Sequence, residues 1–120
     1  MTHFTVKKLN TIIIPVKKME RSIDFYQNVL GLSLDYIEGS MAWFTIGDET
    51  SVMLHTIDKP EPVETGIVIE LMVGDLIACV TAVKHADGTI IQEPVKREWG
   101  VIEAVIADPD GYRIWVVQPT

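Results

Sequence analysis

Apolar residues recur along this chain in two alternating rhythms, a period of two and a spacing of four then three. Leu9–Val16 reads as a strand, and Met19, Ile23, Tyr26 and Leu30 then mark one face of a helix over 19–30. Glu20, Asp24, Gln27 and Asn28 fall on the opposite face, and Gly31 supplies the stop. Ser33–Glu38, Ala42–Gly47 and Ser51–Thr56 read as three strands, with Gly39-Ser40 and Asp48-Glu49 as turns. After a linker at 58–65 that holds Pro60 and Pro62, Ile67–Val73 reads as a strand and Asp75–Ala86 as a helix. Thr89–Glu93, Gly100–Ala107 and Tyr112–Gln118 complete the chain as strands. The last is entered through Asp108-Pro109-Asp110-Gly111, where Pro presets φ and Gly tolerates a left-handed turn.

The second half repeats the first. Val16 and Val73, Met19 and Leu76, Ile23 and Val80, Tyr26 and Val83, and Gly31 and Gly88 all stand 57 residues apart. The predicted class is therefore α+β, a single domain of two β-α-β-β-β modules at about 9–57 and 66–118. A module of about 60 residues buries its core poorly alone, so the two are expected to share one.

Strand parity separates two faces. Ile12, Ile14 and Val16 alternate with Thr11, Ile13 and Pro15, and Ile69, Leu71 and Val73 alternate with Val68, Glu70 and Met72. The set that is apolar in both copies should lie under the helices. If the sheets join edge to edge with the helices outside, the other set lines a cleft. An apolar surface with a few polar groups suits a small-molecule ligand.

Composition narrows the partners. Hydrophobic residues make up 48% and charged residues 22%, as in compact domains, and the net charge is −7. An acidic surface repels phosphate, which disfavours nucleic acid and anionic membrane. No long apolar core follows the first charges, so neither leader nor membrane span is expected. The lone Cys79 forms no internal disulfide and reads as a packed thiol of a cytoplasmic protein.

Val16-Lys17-Lys18-Met19-Glu20-Arg21-Ser22-Ile23-Asp24-Phe25-Tyr26, with Val29-Leu30-Gly31-Leu32, resembles the first-helix signature of the vicinal oxygen chelate superfamily. That group includes glyoxalase I, bleomycin-resistance proteins, fosfomycin-resistance enzymes and extradiol dioxygenases. Asp108-Pro109-Asp110-Gly111-Tyr112 resembles its second signature, the turn into the last strand. The resemblance implies curved, U-shaped mixed sheets and association into a homodimer. It also implies, for the enzymes, a divalent metal held by His or Glu from the first and last strands of each module. Carried over position by position, those ligands fall at Thr11, about Met53, Val68 and Trp115. None is a usual metal ligand, because metal binding needs anionic oxygen, thiolate or imidazole donors. No metal and no cofactor are expected.

Other polar residues remain as candidates. His55 shares a face with Met53 and reads either as a cleft imidazole or as a strand-end histidine. Glu70 lies mid-strand between Ile69 and Leu71, where a carboxylate is costly unless paired, with Arg113 as one possible partner. Glu103 precedes the Asp-Pro turn and reads either as a cleft group or as a solvent-facing carboxylate. Convergence of His55, Glu70 and Glu103 on a displaced metal is a further alternative. Trp115 would form an aromatic wall, and Trp99-Gly100 a rim. Two functions follow. One is a metal-free module that sequesters a small aromatic or cationic compound. The other is a glyoxalase-like enzyme using a displaced metal or Glu70/His55 acid–base chemistry.

Overall fold

The computed structural model describes residues 4–120. Residues 1–3, at the chain start read above for a leader, lie outside the described residues. The first module runs β1 (Ile12–Val16), α1 (Met19–Ile23), a π-wound segment Asp24–Val29, β2 (Ser33–Glu38), β3 (Met41–Ile46) and β4 (Thr50–Thr56). The second runs β5 (Ile69–Met72), α2 (Leu76–His85), β6 (Thr89–Arg97), β7 (Val101–Ala107) and β8 (Arg113–Pro119). The strand orders match, β1-β4-β3-β2 and β5-β8-β7-β6, and in each sheet the first pair is parallel and the rest antiparallel. The α+β class and the paired βαβββ modules are thus as the repeat predicts.

The parity argument holds. Ile14 and Val16 are buried, and Ile12, Ile69, Leu71 and Val73 pack against the same core. Ile13 and Met72, from the alternate set, are 54% and 73% exposed. That core is continuous, joining Phe44 and Leu54 of the first sheet to Phe25 and Tyr26, then to Leu76, Val80 and Val83, and on to Ile106 and Val116.

Three strands differ most from expectation. The first strand begins at Ile12 rather than Leu9, and β5 spans only Ile69–Met72. Residues 9–11 and 67–68 carry side chains of strand type but find no ladder partner, and propensity alone does not make a strand. β6 runs on to Arg97 through Pro94, which cannot donate to a ladder. It is tolerated because β6 is an edge strand whose register slips on both sides of Gln92.

The two helices end differently although their apolar stripes match. In α2, Asp75 caps the start by accepting from the Ala78 amide at 3.0 Å. The end closes with Asp87 N–H to Lys84 O at 3.1 Å and Gly88 N–H to Val83 O at 2.8 Å around a left-handed Asp87 (φ 55°). In the first module the left-handed residue is Gly31 (φ 75°), and the closing amide is Leu32, which reaches Tyr26 O at 2.9 Å. By the 57-residue displacement, that is one residue later than in the second module. The π winding, seen in the Leu30 N–H to Phe25 O bond at 2.9 Å, absorbs the extra residue.

No ladder joins the two sheets among the described residues, so β1 and β5 both remain edges. Edge-to-edge joining, the condition set for a shared cleft, is therefore not met within one chain. The modules meet through the π-wound segment against α2 and through the β7–β8 turn against α1.

Candidate functional site

The register assigns each candidate side chain to a row. On the first sheet, Ile13, Met53 and Trp43 are ladder partners, and Tyr36 pairs with Trp43 beyond them. The Tyr36 and Trp43 rings stack 4.5 Å apart at an interplanar angle of 13°. The next row is Pro15, His55 and Met41. Met53 is buried and His55 half-buried. Thr11 precedes β1 on the same face by parity, and its hydroxyl is buried without a hydrogen-bond partner among the described residues.

On the second sheet, Glu70, Trp115, Val105 and Gln92 form one row, and Met72, Val117, Glu103 and Val95 the next. Val68 stands just before β5 and is exposed. Glu70 is exposed on an edge strand, so it avoids the burial cost that makes a mid-strand carboxylate conspicuous in the sequence. Arg113, considered as its partner, instead reaches Glu64 at 3.4 Å. Glu103 is 9% exposed and accepts from Arg97 Nε at 2.7 Å, which satisfies its charge. The same guanidinium lies 5.8 Å from the centre of the Trp99 ring, so the rim tryptophan and the buried carboxylate share one cation.

The structure thus brings Val68, Glu70, Glu103 and Trp115 onto one sheet and Thr11, Met53 and His55 onto the other. Among the described residues no three His, Cys, Asp or Glu side chains converge, so His55, Glu70 and Glu103 do not meet within the chain. The four positions where the resemblance implies metal ligands offer a hydroxyl, a thioether, an isopropyl group and an indole. Thr11, Met53, Val68 and Trp115 do not fit a divalent cation, which takes harder or more basic donors.

Sequence reasoning missed two sets of residues. Gln92 is absent from the sequence reading, yet its Nε2 is buried without a partner among the described residues, in the row that holds Trp115. Its signal was a polar residue in a strand of Ile90, Ile91 and Val95, blurred by Pro94. In the sequence, Asp108 and Asp110 read as a turn only. Asp108 accepts the buried Tyr26 hydroxyl at 2.6 Å and the amides of Asp110 and Tyr112 at 3.0 and 2.8 Å. Asp110 accepts from the Lys17 amide and Arg21 Nη2, both at 3.1 Å, and from the Ser22 hydroxyl at 3.3 Å.

This turn fastens the second module to α1 of the first. Burial pushes the Tyr26 hydroxyl well above its ordinary value, and the adjacent Asp108 carboxylate adds to that. Burial also raises the Asp108 carboxyl, against the opposing pull of the bonds it accepts from Tyr26 and Tyr112. The cluster is a structural lock.

A family model described as Glyoxalase/Bleomycin resistance protein/Dioxygenase superfamily matches residues 8–116. A lactoylglutathione lyase of Neisseria meningitidis is 36% identical over 121 residues, covering 88% of this chain and 86% of the relative. Among solved structures, a protein of unknown function from Agrobacterium tumefaciens superposes with TM-score 0.79 at 21% identity, covering 98% of both chains. A member of the same superfamily from Sphaerobacter thermophilus superposes with TM-score 0.73 at 26% identity, covering 94% of this chain and 98% of that one.

Proposed function

The chain belongs to the Glyoxalase/Bleomycin resistance protein/Dioxygenase superfamily, and on that premise we propose that it sequesters a small aromatic or cationic compound without a divalent metal. The observation that carries this reading is the side-by-side register of Glu70 and Trp115. Where the family resemblance implies a metal ligand, this chain presents an indole with a free carboxylate beside it. The indole buries a flat ring, and the carboxylate orients a cation or a hydrogen-bond donor.

In this reading Thr11, Met53 and His55 form the first module's half of the site, and Val68, Glu70, Trp115 and Glu103 the second module's half. Glu103 acts through its bond to Arg97. The two halves lie on open faces, and a two-fold homodimer supplies the missing wall by covering Ile13 and Met72. The compartment proposed is the cytoplasm, where a single free thiol is ordinary. No helix among the described residues is long and apolar enough to cross a membrane.

A second reading draws on the 36% identity with a lactoylglutathione lyase. It is a glyoxalase-like enzyme in which Glu70 or His55 serves as the acid–base group, provided the substrate proton comes within hydrogen-bond reach. Thermal shift of the purified protein against flat cationic compounds and against divalent ions separates the two. Compound-dependent stabilisation that is weakened in Trp115→Ala, and weakened for cations only in Glu70→Gln, supports sequestration. Stoichiometric metal surviving dialysis, or turnover of lactoylglutathione lost in Glu70→Gln, supports the enzyme and removes the first reading.

A further inference from the structure

A cavity of about 780 Å³ lies between the modules, on the side of the sheets that faces the helices. Leu32, Ile46 and Val52 line it on one side and Leu71, Cys79 and Val116 on the other. Ile12, Leu71 and Val116 belong to the set that packs against the core, so this space lies on the opposite side of the sheets from Trp43 and Trp115. It meets that face only at the β5 edge, through Val68, Glu70 and Met72. Every residue from Val68 to Asp75 borders it. A sheet face would present alternate residues, so the cavity runs along the free edge of β5, whose outer backbone groups meet no strand.

We propose that this inter-module cavity is a second binding site, for an uncharged lipophilic small molecule whose polar edge bonds to the open edge of β5. Its volume falls in the range of about 300–1,000 Å³ that holds drug-sized ligands. Its walls are mainly aliphatic, and the backbone of β5 supplies the few convergent donors and acceptors such a site requires. Among the described residues, the ionisable groups on its lining are Glu70, Asp75 and the Cys79 thiol, with no Lys, Arg or His. The two carboxylates disfavour anions. Asp75 is engaged in capping α2, and Glu70 belongs by register to the Trp115 face, so neither is left to hold a cation among the aliphatic walls. The Leu76 amide at the same end is taken by Gln118 Oε1 at 2.8 Å, so the helix start is no competing anion site.

Cys79 is the chain's one cysteine and half-buried on the cavity wall, which makes it an internal reporter. Burial raises its thiol, so modification is slow at neutral pH and sensitive to further shielding. The test titrates the neutral fluorophore N-phenyl-1-naphthylamine while intact mass follows alkylation of Cys79 by N-ethylmaleimide.

The expected result is saturable fluorescence gain with alkylation slowed about tenfold at saturation. Ala82→Leu, which fills the cavity from α2, should weaken the fluorophore about tenfold. Ala78→Leu enters from the same wall one turn earlier and repeats the test should the first variant fold poorly. Unchanged alkylation at saturating fluorophore overturns the proposal. So does binding that survives both folded leucine variants, or binding lost in Trp115→Ala and retained in Ala82→Leu. A dimer that excludes the fluorophore at every concentration makes a second copy the occupant, and overturns it as well.

Discussion

The two modules carry the same apolar stripe at the same spacing and yet secure their helices by opposite means. α2 is self-contained, with Asp75 capping its start and Asp87 and Gly88 closing its end. The first helix has no side-chain cap, takes an extra residue into π winding, and depends on Asp108 and Asp110 of the other module. The repeat therefore constrains the core stripe and leaves the helix ends free to diverge. The first module lacks the local cap and has a tie to its neighbour in its place.

The largest test of that contrast is Asp108→Ala against Asp75→Ala. The first strands a buried tyrosine hydroxyl and two amides and should cost about 3 kcal/mol. Losing the helix cap should cost about 1 kcal/mol. Urea melts of both variants decide the matter, and equal costs would remove the distinction between a lock and a cap.

The lock also titrates. With its folded value raised above the ordinary 10.0, Tyr26 contributes stability that is fully present below pH 10 and lost as pH rises through the folded value. Alkaline melts of wild type should therefore fall more steeply above pH 10 than those of Tyr26→Phe, which removes this group. Parallel profiles would show that another group sets the alkaline limit.

Next come the two glycines that the repeat makes equivalent. A Cβ at Gly88 would meet Val83 Cγ1 at 2.7 Å and Val83 O at 2.9 Å, whereas Gly31 has nothing within 4 Å. Gly88→Ala should cost about 2 kcal/mol through overpacking, and Gly31→Ala about 1 kcal/mol through its left-handed backbone. Asn should partly rescue position 31, because it tolerates that conformation, and should fail at 88. The smallest effect runs the other way. Asp87→Gly should stabilise by about 0.5 kcal/mol, since the left-handed position then carries no Cβ. A loss of stability there would mean that the Asp87 side chain supports the helix end.

Much of the fold was legible because burial leaves a period. The alternation of Ile12, Ile14 and Val16, and of Ile69, Leu71 and Val73, predicted which face meets the helices, and the Asp-Pro-Asp-Gly turn marked the last strand. π winding was not legible, since Met19, Ile23, Tyr26 and Leu30 fit an ordinary helix and the extra residue shows only against the closing bonds of α2. The partners of Asp108 and Asp110 were hidden because a turn signature describes a local backbone. Their bonds to Lys17, Arg21, Ser22 and Tyr26 cross 82 to 93 residues. For the candidate site, parity set Glu70 on the second face of its strand and the resemblance supplied Trp115, and the register pairs the two. Whether two half-sites oppose each other depends on how sheets dock, and no period along the chain encodes that.

The 82 residues between Tyr26 and Asp108 also set an order of events during synthesis. At ribosomal speeds of about 5–20 residues per second, the tyrosine emerges roughly ten seconds before its acceptor. During that interval the nascent first module holds an aromatic hydroxyl with nothing to receive it and a helix start that waits for Asp110. Completing the fold is thus conditional on translation reaching the turn between β7 and β8. A chain released earlier keeps both defects in its first module, so the lock doubles as a record that the message was read through the turn that carries Asp108 and Asp110.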